Sequence, residues 1–76
     1  MDDLLAFIVK GLVDRPDEVS VESFEEDDAL VLELHVADDD TGKVIGRNGR
    51  TVNAVRTVMR ACGSKHGRRV LVDVVD

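Results

Sequence analysis

With 76 residues the chain holds one small domain and is too short for two. Apolar residues make up 43% of it in regular patterns, which excludes a disordered chain, and the lone cysteine, Cys62, excludes an internal disulfide or a cysteine-based zinc site. The formal charge of −6 hides a polarity: residues 1–40 carry fourteen acids against Lys10 and Arg15, and residues 41–76 carry eight bases against Asp73 and Asp76, so the halves stand at −12 and +6.

From Leu4 to Val13, the apolar residues Leu5, Ile8, Val9 and Leu12 follow the spacing of an amphipathic helix, with Asp2 or Asp3 as its cap and Pro16 as its stop. Glu18 to Phe24, with Val19 and Val21 in alternation, and Ala29 to Ala37 read as the strands of a β-hairpin that turns through the acidic run Glu25 to Asp28. In the second strand Leu30, Leu32, Leu34 and Val36 share the core face, and Ala29, Val31, Glu33 and His35 point the other way. Asp38, Asp39 and Asp40 end that strand and offer capping oxygens to a short helix through Lys43 and Val44 to Ile45. Gly46 and Gly49 then interrupt the chain. Arg50 to Cys62 forms another amphipathic helix, with Val52, Val55, Met59 and Cys62 on its apolar stripe and Asn53, Arg56 and Arg60 on a polar one. Gly63 serves as the left-handed residue at its end, Lys65 to Arg69 form a basic connection, and Val70 to Val75 make a final strand with Val70, Val72 and Val74 on one face. The predicted architecture is one α+β domain over residues 1–76, ordered α-β-β-α-α-β, with a three-stranded sheet and three helices packed on one face.

The chemistry gathers at Lys43-Val44-Ile45-Gly46-Arg47-Asn48-Gly49-Arg50. Glycines three apart between two helices permit a tight turn that a phosphodiester can approach closely, and the helix beginning after Gly49 directs unpaired N–H groups and the positive end of its dipole at the same spot. Lys43, Arg47 and Arg50 surround it, so its natural ligand is an anion. Screening acts over about 8 Å at physiological salt, so such a patch attracts phosphate even on an acidic chain. Arg56 and Arg60 can extend a phosphate track, and a solvated helix face explains them equally well.

Val44-Ile45-Gly46-Arg47-Asn48-Gly49, after a strand and between two helices, resembles the signature loop of KH domains, which clamps four nucleotides of RNA. The element order is similar to the type II arrangement of that fold. The whole chain resembles the small bacterial single-KH family called KhpA, through Leu12-Val13-Asp14-Arg15-Pro16, Gly42 to Arg50, and Arg69 to Val74; Thr41 departs from it, standing where the family more often has leucine. The resemblance implies a non-enzymatic cytoplasmic protein that binds single-stranded RNA, as an RNA chaperone or post-transcriptional regulator, and that forms a homodimer or pairs with a larger KH-containing protein. By position, Gly46 and Gly49 shape the loop, Arg47 and Asn48 lie along the RNA backbone, and Val44 and Ile45, with the strand ending at Val36, border the groove for the bases; Lys43, Arg50 and Arg56 are read from their charge as further RNA contacts.

Phe7 and Phe24 are the only aromatics, too few for the stacking platforms that give RRM and OB surfaces about 1–3 kcal/mol per base, whereas KH domains seat bases in an aliphatic groove. No nucleophile–base constellation is visible, no Gly-Lys-Ser/Thr follows the glycines, and no EF-hand spacing surrounds the aspartates, so neither an enzyme, a cofactor nor a metal site is expected. His35 and His66 read as structural. The other reading of the same residues is a protein-interaction module, for dimerisation or as an adaptor, that keeps the fold with little RNA binding of its own.

Overall fold

Leucines alternating along Leu30, Leu32 and Leu34 need an apolar layer against one side of their strand, and the computed structural model, which describes residues 1–75, supplies it. The elements are α1 (Asp2–Lys10), β1 (Ser20–Glu26), β2 (Ala29–His35), α2 (Thr41–Ile45), α3 (Arg50–Lys65) and β3 (Arg69–Val75), with single 3-10 turns at Pro16–Glu18 and Asp38–Asp40 and a tight, partly left-handed turn at Arg47–Gly49. The sheet runs β1-β2-β3, with β2 antiparallel to β1 and parallel to β3. Its core joins Leu5 and Val9 of α1, Leu32 and Leu34 of β2, Val44 of α2, Val55 and Met59 of α3, and Val70 and Val72 of β3. The three helices therefore share one face of the sheet, as the sequence predicts, and the opposite face is open.

Several boundaries differ from the sequence reading for local reasons. α1 stops at Lys10, well before Pro16, because Gly11 follows and the chain must turn to aim the amides of Asp14 and Arg15 at Asp40. No side chain caps α1; Asp2 and Asp3 lie inside its first turn, where their charge still opposes the dipole. The hairpin turn is only two residues, Asp27 and Asp28, whose φ of 50° and 66° match the needs of a type I′ turn, so Glu25 and Glu26 belong to the strand. The strands themselves are shorter at the other end, since β1 starts at Ser20 and β2 ends at His35.

Gly63 lies within α3 and is buried; the left-handed residue beyond the helix is Gly67, at φ +70°. At Gly63 the helix meets β3 so closely that a Cβ would stand 2.5 Å from Val70 Cγ2 and 2.8 Å from the carbonyl oxygen of Arg68. The Gly63→Ala variant is therefore expected to lose about 1–3 kcal/mol, read as a lower urea midpoint. An unchanged midpoint would mean that the helix can move aside without cost.

Candidate nucleic-acid interface

The turn between α2 and α3 is built by three residues with positive φ. Gly46 (φ 75°, ψ 174°) closes α2, and Asn48 (58°, 26°) and Gly49 (76°, 12°) are both left-handed. At Gly46 space as well as angle demands glycine, because a Cβ would sit 2.2 Å from Thr51 Oγ1 and 2.9 Å from Thr51 N in the first turn of α3. Asparagine is one of the few other residues that tolerate the left-handed region, which accounts for Asn48. The amides of Gly46 and Gly49 donate to the carbonyls of Gly42 and Gly46, so the backbone holds the turn without help from side chains.

Arg47, Asn48 and Arg50 are exposed on this turn, at the N-terminus of a sixteen-residue helix. Among the described residues neither Arg47 nor Arg50 has a carboxylate partner, whereas Arg15, Lys43 and Arg68 all do. Unpaired guanidinium groups beside a positive dipole end have the charge and donors that an anion requires.

The other residues singled out from the sequence stand differently. Val44 is 0% exposed and belongs to the core, so it offers no surface to a base. Ile45 is half-buried and does border the surface. Arg56 lies about 9 Å along α3 from Arg50 and is half-buried, its Nε donating to the carbonyl of Val72 at 3.2 Å. Arg60 is exposed on the same helix. Lys43 does not reach freely toward a ligand: its ammonium donates to Asp14 and, at 3.4 Å, to Asp40. The contact with Asp14 raises its pKa above the usual lysine value, burial lowers it, and Asp40 adds to the rise.

Asp40 is the residue whose role the sequence reading misses. It stands at the N-cap position of α2, but its side chain makes no capping hydrogen bond to that helix. Its carboxylate is 1% exposed and accepts from the amides of Arg15 at 3.0 Å and Asp14 at 3.3 Å as well as from Lys43. Burial pushes its pKa up, and those two amides and the ammonium outweigh burial and hold the carboxyl below its ordinary value of 3.8. One side chain thus ties the α1–β1 connection to α2, from which the glycine turn projects. The three-residue spacing of Asp40 and Lys43 was a visible sign of their pairing; the link to amides about 25 residues away had none.

Residues 2–74 match the family described as KhpA/KhpB, KH domain. The RNA-binding protein KhpA of Streptomyces coelicolor is 53% identical over 76 residues, 100% of this chain and 92% of that protein. The RNA-binding protein KhpA of Borreliella burgdorferi is 46% identical over 74 residues, 97% of this chain and 90% of that protein. Among solved structures, the crystal structure of Era in complex with MgGDPNP and nucleotides 1506–1542 of 16S ribosomal RNA superposes with a TM-score of 0.62 over 96% of this chain and 28% of its own length; at 18% identity this is a likeness of fold, and the fold is KH-like. A match spanning nearly every residue, relatives similar over nine-tenths or more of their length, and a glycine turn set between two helices over a three-stranded sheet make the chain a member of the KhpA/KhpB KH-domain family.

Proposed function

We propose that this protein is a non-enzymatic RNA-binding protein that grips the backbone of a short single strand at Gly46-Arg47-Asn48-Gly49, and that it serves as an RNA chaperone or post-transcriptional regulator. The observation that carries the reading is the pair of exposed, carboxylate-free arginines, Arg47 and Arg50, at a left-handed turn that opens α3. Relatives named as RNA-binding proteins support it. Backbone contacts at the turn position the strand, and the half-buried Ile45 and Val36, the latter just past the end of β2, offer aliphatic surface with modest base preference. A grip of about 2–3 phosphates implies a log–log salt dependence of binding with a slope of about −1.4 to −2.1 for single-stranded RNA. Titrating a short unstructured RNA at several salt concentrations measures it, and affinity indifferent to salt would count against the loop.

The adaptor reading keeps one observation of its own. Phe7 is 77% exposed on α1, remote in sequence from the turn, and such a ring is a natural contact for a second copy or a larger KH-containing partner. The two roles are compatible, since weak single-domain binding gains selectivity when two domains act on one strand.

A further inference from the structure

The strand register arranges the open face of the sheet in rows. Phe24, Val31 and Leu71 form an apolar row; beside it Glu22 stands opposite Glu33, and Glu33 opposite Asp73; the next row is Ser20, His35 and Val75. Like charges directly opposite one another across strands are destabilising, so the acidic row favours a counter-charge.

A carboxylate oxygen of Glu22, one of Glu33 and a ring nitrogen of His35 all lie within 4.8 Å of one another. A second observation concerns the imidazole alone: Nε2 of His35 is shut off from solvent and has no hydrogen-bond partner. Buried polar atoms are normally satisfied, and an imidazole with an unsatisfied ring nitrogen beside two carboxylates is a ready ligand for a cation. Nitrogen and oxygen ligands at about 2.0–2.2 Å in a tetrahedron lie about 3.3–3.5 Å apart, so the three side chains need only small rotations to close. One imidazole with two carboxylates suits zinc and its neighbours in the first transition row, whereas magnesium and calcium prefer oxygen alone.

We propose that Glu22, Glu33 and His35 bind a divalent transition-metal ion of the zinc class on the open face of the sheet, with solvent completing the coordination and Asp73 adding negative charge beside Glu33. The site bridges β1 and β2 on the side opposite the helices. Glu22 joins the other two only through the hairpin register, which is why spacing along the chain carries no sign of it.

The test is calorimetric titration of the full chain with zinc chloride in a non-chelating buffer, alongside nitrogen NMR of the histidine rings. One equivalent should bind, with a large shift of the His35 ring nitrogen, and His66→Gln should leave both unchanged. Glu33→Gln and His35→Gln should lose the binding while keeping the circular-dichroism spectrum of the parent. Because the NMR shift is read on the unaltered protein, the result does not depend on either variant folding. No uptake at millimolar zinc, binding that leaves the His35 ring unperturbed, binding lost in His66→Gln, or equal uptake of magnesium would overturn the proposal.

Discussion

The variant carrying both Arg47→Asp and Asn48→Asp is expected to lose binding of short single-stranded RNA while its fold and unfolding midpoint remain near those of the parent. Both side chains are exposed and neither holds the turn, whose hydrogen bonds are between backbone groups. Aspartate shares the tolerance of asparagine for the left-handed region, so the φ of 58° at position 48 survives the change. What changes is charge, by two units at Arg47 and one at Asn48, at the point where an anion would meet the start of α3. Fluorescence anisotropy with a labelled RNA reads the loss, and thermal unfolding reads the fold. Arg47→Ala alone should weaken binding more than Lys43→Ala, because the lysine is already held by Asp14 and Asp40. Normal RNA binding by the double aspartate variant would place the contact elsewhere and favour the adaptor reading.

Asp40→Asn is expected to destabilise the fold about as much as Gly63→Ala, through lost hydrogen bonds in place of a steric clash. An amide keeps the size of the carboxylate but offers one acceptor oxygen to two backbone donors, and its NH2 group faces Lys43 with nothing to accept from it. A buried amide left without a partner costs more than its hydrogen bond contributed, and for a domain of this size the expected fall in Tm is about 5–15 °C. The pH dependence has a definite sign. The folded-state pKa of Asp40 lies below the ordinary 3.8, so its contribution is fully present above 3.8 and is lost as pH falls through the lower folded value. Comparing midpoints at neutral pH and near pH 3 should show the gap between parent and Asp40→Asn narrowing in acid. A gap that widens would show that the carboxylate is not the group being stabilised.

The fold was legible where periodicity is strong. Leu32 and Leu34, Val70 and Val72, and Val52, Val55 and Met59 all lie buried on the faces that their spacing predicts. Capping was less legible, because an aspartate before a helix reads as a cap whether its oxygens turn to that helix or, as at Asp40, to a distant loop. Gly63 shows the same ambiguity: a glycine near a helix end can terminate it or let a strand approach, and only the position of Val70 decides. At the candidate site the glycines and arginines could be read directly, since the turn is local. The engagement of Lys43 and the complete burial of Val44 could not, since both depend on what packs behind α2.

The register also orders the assembly of the molecule in time. Hairpin partners are at most fifteen positions apart, from Ser20 to His35, whereas every pairing of β2 with β3 spans forty, as from Ala29 to Arg69. Loop-closure entropy must be met before remote contacts stabilise anything, so the hairpin closes early and β3 docks late. Until it docks, the outer edge of β2 is an open template for another chain. Docking β3 against α3 at Gly63, where the two elements approach too closely for a Cβ, is what closes that template.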